Sequence, residues 1–221
     1  RAQQKVESRN FDVRKTLIKF DNVLNDQRHV IFSQRKNVIN SSNIFDYSDE
    51  FLKEIIQDII KLKIENLSDP RSNEFSNRIK QIVGKSFNEL ELNELISGKD
   101  EIIKEKIITK FSEARDERIK LLGEDHAKEI EKRIFLQSID LNWKSHIQYL
   151  EQLRQVIGLR SYGQRDPLVE YKKEAFELFS NLLNKLKLDF VTILMNLKVV
   201  TEQPEENKQS IIDQIKSGKK I

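Results

Sequence analysis

The sequence predicts an all-α protein, elongated, built on long helices with an α-hairpin and a small helical lobe inserted between them. Two observations carry that prediction. Only six Gly and three Pro interrupt 221 residues, so helix breakers are few and fall in a handful of places. Between them, apolar residues recur at three- and four-residue spacing, the mark of one buried helix face. A composition of 38% hydrophobic and 34% charged residues implies much surface around little interior, which suits thin helical assemblies.

Residues 1–40 read as one long helix with Val6, Val13, Leu17, Phe20, Leu24, Ile31 and Val38 on a near-heptad stripe. Asn10, Gln27 and Gln34 fall on the same stripe, which argues against a self-associating coiled coil and for a scaffold that packs on several partners in turn. Ile18, Val23, Val30 and Phe32 lie off the stripe and predict contact on more than one side. Asn40-Ser41-Ser42-Asn43 is a break, after which Asp46 or Ser48 is expected to cap a strongly apolar helix around Phe51–Leu62. Asn66-Leu67-Ser68-Asp69-Pro70 ends that helix. Shorter helical patterns follow at Glu74–Val83, Phe87–Ile96 and Ile102–Leu122, punctuated by Gly84, Ser97-Gly98 and Gly123.

From Glu124 the pattern lengthens again. Ile139, Trp143, Ile147, Leu150, Leu153 and Ile157 mark one face of a helix over Glu124–Leu159, on the order of 50 Å long. The pattern stops at Arg160-Ser161-Tyr162-Gly163-Gln164-Arg165. Asp166 can then cap the next helix, with Pro167 at its first position, where a missing N–H costs nothing. Leu168, Tyr171, Ala175, Phe179, Leu182, Leu186, Phe190, Ile193 and Leu197 continue the stripe to about Lys198. Trp143 belongs to the apolar face and reads as a core anchor. Tyr162 lies where no core face claims it. Thr201-Glu202-Gln203-Pro204 breaks the pattern, leaving a polar linker with a short helical possibility at Ile211–Ile215.

Chemistry of the catalytic kind is not legible. No Gly-rich phosphate loop occurs, and His29, His126 and His146 lack metal-ligand spacing. Asp21 and Asp26 read as ion-pair or capping residues. Cysteine is absent, which excludes disulfides and thiolate metal sites, and no apolar run approaches the ~20 residues of a membrane span. Residues 1–43 hold nine Lys/Arg against four Asp/Glu, a net +5, while residues 44–123 hold fourteen against seventeen, a net −3. The basic helix can meet anionic lipid or acidic protein surfaces, or form a solvated face. Basic and acidic residues are mixed almost everywhere, so no nucleic-acid partner is expected. The chain opens at Arg1 inside a helical pattern, and its one methionine is Met195, so a longer parent chain is expected.

At the hairpin a resemblance becomes specific. Trp143-Lys144-x-His146, Leu153-Arg154-Gln155, Leu159-Arg160-x-Tyr162-x-Gln164-x-Asp166-Pro167 and Glu170-Tyr171-Lys172 resemble the two-helix finger of the SecA family, bacterial ATPases that drive unfolded preproteins through the SecY channel. The blocks from Arg1 to Lys15 and from Asp21-Asn22-Val23-Leu24 to Arg28 resemble that family's long scaffold helix. The resemblance implies a scaffold helix at 1–43, a helical wing at 44–123 (assigned mainly by position), a scaffold return with the finger at 124–200, its tip at about 159–166, and a linker at 201–221. It further implies that the tip, with Tyr162, Arg160, Gln164 and Arg165, engages the SecYEG channel and the translocating polypeptide. Arg9, Asn10, Arg14, Asp21 and Asp26 would belong to the face that meets the motor domains. ATP and Mg would act in that motor, outside this chain, which itself would hold no cofactor. The location implied is cytoplasmic, peripheral to the inner membrane through the channel or anionic lipid. The pattern departs at Val156, Gly158, Ser161 and Gly163, where members often carry Gly, His, Gly and Ala. A glycine at 158 is expected to loosen the helix end by about 1 kcal/mol. The alternative is a helical adaptor or coiled-coil interaction module with no catalytic part.

Overall fold

The structure, a computed structural model, describes residues 2–68, 74–83, 86–159 and 166–199. Helices account for nearly all of these, and no strand occurs among them, so the all-α expectation holds. α1 (Ala2–Asn40) contains neither Gly nor Pro and runs 39 residues, about 58 Å at 1.5 Å per residue. Only its second half is covered. Phe20, Gln27, Ile31 and Val38 are buried, at heptad-like spacing. Ala2–Lys19 are exposed throughout, including Val6, Phe11, Val13, Leu17 and Ile18. The contact predicted on a second side is not found among the described residues: Ile18, Val30 and Phe32 are exposed, and of the four only Val23 is partly buried. The buried residues of α1 form one narrow seam, and Gln27 on it meets both neighbouring long helices.

α2 (Ile44–Ser68), α3 (Glu74–Val83), α4 (Glu89–Ser97) and α5 (Asp100–Leu122) form the lobe. Asn43 caps α2 in place of the expected Asp46 or Ser48. Its side-chain oxygen accepts from the Phe45 N–H at 3.3 Å, and its amide donates to Asp46 at 2.9 Å. Because α2 starts at Ile44, Ser48 falls inside the helix, where its hydroxyl lies near the Ile44 and Phe45 carbonyls and reaches Glu131 of α6. α4 opens with a reciprocal capping box between Asn88 and Glu91. Gly123, at φ 85°, occupies a conformation that a side chain would strain; it lets α5 turn directly into α6 (Glu124–Val156).

α7 (Pro167–Asn196) begins as the sequence predicts. The Leu168 N–H donates to the Asp166 carboxylate at 2.8 Å, and Pro167 follows the cap. The α-helical part of α6 ends at Val156, and residues 157–159 tighten into a 3₁₀ turn. Gly158 therefore sits in that turn, outside the α-helix whose loosening was expected, and a Cβ there would meet nothing within 4 Å. On α7 the predicted stripe is buried at Tyr171, Ala175, Leu182, Leu186 and Phe190, whereas Ile193 is 41% exposed. Beyond Leu186 the helix keeps contact with α6 through Phe190 and Asp189 and also enters the lobe, so Leu188, Val191, Leu194 and Met195 are buried too.

Two apolar clusters result. The larger gathers the lobe, the C-terminal half of α1, the first two-thirds of α6 and the end of α7, with Phe51, Phe135 and Phe190 in mutual ring contact. The smaller holds Phe20, Leu150, Leu153, Ile157, Tyr171 and Ala175, where α1 meets the far part of the hairpin.

Candidate functional site: the hairpin end and its brace on α1

The hairpin ends at Leu159, which is 67% exposed, and resumes at Asp166. The tip residues named from the sequence, Arg160, Tyr162, Gln164 and Arg165, lie outside the described residues. What the structure describes is how the two helices that carry them are held.

The brace is built from α1. Phe20 meets Tyr171 edge to face, with ring centroids 4.8 Å apart at 72°, a favoured aromatic arrangement. Burial raises the Tyr171 pKa above its ordinary value; the positive charge of Arg154 opposes that shift, and Glu151 and Asp21 add to it. Asp21 pairs with Arg154 of α6 at 2.8 Å. Its carboxylate is thus engaged with the hairpin, while the other residues assigned to a motor-facing surface, Arg9, Asn10, Arg14 and Asp26, are exposed.

Seven residues along from Phe20, Gln27 is buried between the three helices. Its amide nitrogen donates to the Ala175 carbonyl of α7 at 2.9 Å, and its oxygen lies 2.8 Å from His146 Nε2 of α6. A carbonyl can only accept, so Gln27 must turn its nitrogen to Ala175 and its oxygen to the imidazole. His146 Nε2 therefore carries a proton and donates. The ring stacks on Trp143, with centroids 5.5 Å apart at 30°, and also meets Phe179. Burial lowers the His146 pKa, so the neutral Nε2–H form is favoured. Trp143 itself is buried in the larger cluster. The periodicity placed Gln27 on the seam as a polar intrusion, but its partner needed the tertiary arrangement.

The opposite end of the bundle holds a buried charge network that sequence reasoning missed. Arg118 of α5 is 1% exposed and Glu131 of α6 is 0%. Arg118 donates to Glu131 at 2.8 Å and to the Leu194 carbonyl in the last turn of α7 at 2.7 Å. Ser48 of α2 donates to the other Glu131 oxygen at 2.9 Å and accepts from Arg115, which also pairs with Asp49. One signal was available: Glu131 falls between Ala127 and Phe135 on the buried stripe of α6, where a charge is out of place unless paired.

Among the described residues no group of three or more His, Asp or Glu is placed to hold a metal ion. No described helix is long and apolar enough to cross a membrane. The described residues form a hairpin braced along a longer helix and anchored in a lobe.

Comparison with known proteins agrees in kind. Residues 1–198 match the family described as the SecA wing and scaffold domain. The chain is 70% identical over 205 residues to the "Protein translocase subunit SecA" of Pelagibacter ubique, an alignment covering 93% of this chain and 24% of that protein. It is 38% identical over 215 residues to the protein of the same name from Caulobacter vibrioides, covering 92% of this chain and 22% of that one. The chain thus spans about a quarter of the length of these curated relatives. On the extent of the family match and the identity of these relatives, the chain belongs to the SecA wing and scaffold family.

Proposed function

We propose that this chain is a mechanical and regulatory region of a SecA-type, ATP-driven preprotein translocase, with residues 1–43 and 124–200 as scaffold and finger and residues 44–123 as the wing. The observation that supports this reading is the brace: α6 and α7 are fixed on α1 by a compact apolar cluster and two polar links. A hairpin so stiffened can transmit force to the segment joining its helices. Tyr162 offers that segment a flat apolar face and a hydroxyl, a combination that grips many polypeptide chemistries without sequence preference. Arg160, Gln164 and Arg165 surround it with polar and cationic groups suited to the carbonyl-rich or acidic loops of a SecYEG channel. The exposed, basic first half of α1, with Arg9, Asn10 and Arg14 on it and Asp26 further along, is the surface we assign to the motor domains, where ATP and Mg would act. Membrane association would be peripheral, through the channel or anionic lipid.

The test separates gripping from hydrolysis. Tyr162→Ala in the full-length parent should lower preprotein translocation about tenfold or more, the scale of losing an aromatic anchor, with basal ATP hydrolysis nearly unchanged. A comparable loss of basal hydrolysis contradicts this division of labour. A second reading, a self-associating helical module, draws on the exposed Val6, Val13 and Leu17 of α1. It requires a concentration-dependent dimer in sedimentation that disappears when those three residues are made polar.

A further inference from the structure

We propose that Gln27 and His146 are positioning residues whose shared hydrogen-bond chain sets the axial register of the hairpin on α1. This proposal rests on the translocase reading only for its consequence, which is where residues 160–165 are presented. The setting of the register is a claim about the fold itself.

The seam of α1 is apolar on both sides of Gln27, with Phe20 and Leu24 before it and Ile31 and Val38 after it. Apolar ridges specify helix register weakly, because a shift of one turn still covers aliphatic surface with aliphatic surface. A single buried polar residue in such a seam specifies it strongly, since every other register leaves a donor or acceptor unpaired. Gln27 is the buried polar side chain of the α1 seam, and it is satisfied on both sides at once, by the Ala175 carbonyl and by His146 Nε2. Sliding α6 by one turn, about 5.4 Å, takes the imidazole away from Gln27, and sliding α7 removes the carbonyl. The Asp21–Arg154 pair agrees with the register but cannot impose it, being exposed on the Asp side and able to re-pair with little cost. The Gln27 chain holds all three helices at one point, between the two apolar clusters.

This role differs from simple stabilisation, and the difference is measurable. Replacing both polar residues with apolar groups of similar size removes the hydrogen bonds without leaving either partner orphaned. Stability should then be kept while the register is lost.

The experiment uses the full-length parent with any cysteines removed, and two cysteine pairs introduced separately. Asp21→Cys with Arg154→Cys reports the observed register. Asn25→Cys with Arg154→Cys reports a register one turn away. With Gln27 and His146 intact, the first pair should form a disulfide roughly 10- to 100-fold more readily than the second, the ratio set by orphaning buried polar groups. In the Gln27→Leu/His146→Phe background the two pairs should form at comparable rates while the thermal midpoint is unchanged or raised. His146→Gln, which can still donate to Gln27, should restore the single register, and it decides the matter should the apolar double variant fail to fold. Retention of one register in the folded apolar variant, or its loss in His146→Gln, overturns the proposal. Translocation is scored separately. A slipped register with full translocation leaves the positioning role intact and counts against the translocase reading of the hairpin end.

Discussion

The two ends of the α1–α6–α7 framework are held by different means. At the lobe end, α2 to α5 close over the framework, and the interior is large enough to bury a charged pair, Arg118 and Glu131, each also hydrogen-bonded to a further group, Glu131 to a serine and Arg118 to a helix-end carbonyl. At the hairpin end, six residues make the buried cluster, with one edge-to-face ring pair, an ion pair exposed on its Asp21 side and the Gln27–His146 chain at its inner boundary. Thick burial gives the lobe end a broad apolar interior, with the Arg118–Glu131 pair enclosed in it. The thin end relies on a few directional contacts, so it is stiff in register while remaining slender enough to reach into a partner. The N-terminal half of α1, exposed among the described residues, is a third condition: a surface that another part of a longer protein can occupy.

The contrast can be broken most sharply at the lobe end. Glu131→Ala leaves Arg118 buried without its counter-charge and should cost about 3–5 kcal/mol in denaturant unfolding. Replacing both residues with apolar ones of similar volume should recover most of that loss. Next in size is Leu150→Ala in the small cluster, expected to cost about 2–3 kcal/mol, toward the low side for a buried leucine because the thin site can relax. Its signature is spatial. Amide exchange should quicken in residues 146–157 and 168–178 while the lobe stays protected, and equal acceleration in both regions would contradict the two-ended description.

A pH dependence follows from His146. Burial lowers its pKa in the folded chain below the ordinary value of 6.5, so the unfolded chain binds the proton more readily between those two values. The stability tied to neutral His146 is complete above about 6.5 and is lost as pH falls through the window beneath it. The wild type should therefore lose stability below that point relative to His146→Gln, and parallel pH profiles for the two would contradict the assignment. The smallest effect is expected at Asp21→Asn, under about 1 kcal/mol, and it should fade at high salt because the pair is partly solvated.

Local chemistry was legible in the sequence where it is self-contained. The adjacent Asp166 and Pro167 announce the start of α7, and the short helix read at Glu74–Val83 has the same bounds in the structure. Trp143, on the stripe, is buried. Failures came where the answer depends on which element lies opposite. The cap of α2 moved to Asn43 because the helix starts earlier than its apolar run. Ile193 turned outward because the lobe, invisible to periodicity, buries a different face of α7. Ile18, Val30 and Phe32 of α1 are apolar and exposed within this chain, and a stripe alone does not say whether its partner belongs to the same segment. Gln27 read as a polar intrusion on an apolar stripe and His146 as a lone histidine, while Arg118 and Glu131 were not singled out. Their pairings span 119 residues for Gln27 and His146 and 13 for Arg118 and Glu131, and the longer one has no sequence signature. The tip residues stand as read from the sequence, outside the described part of the fold.

The most direct test of the central claim, that the braced hairpin presents a working end, uses the absence of cysteine from this chain. A single cysteine placed at 162 in the full-length parent, with cysteines elsewhere removed, should crosslink to the SecY channel or to a trapped preprotein. The same cysteine moved to Asn93 in the lobe should not. A silent position 162 in a parent that still translocates would contradict the account and leave the chain as a helical scaffold for a different partner.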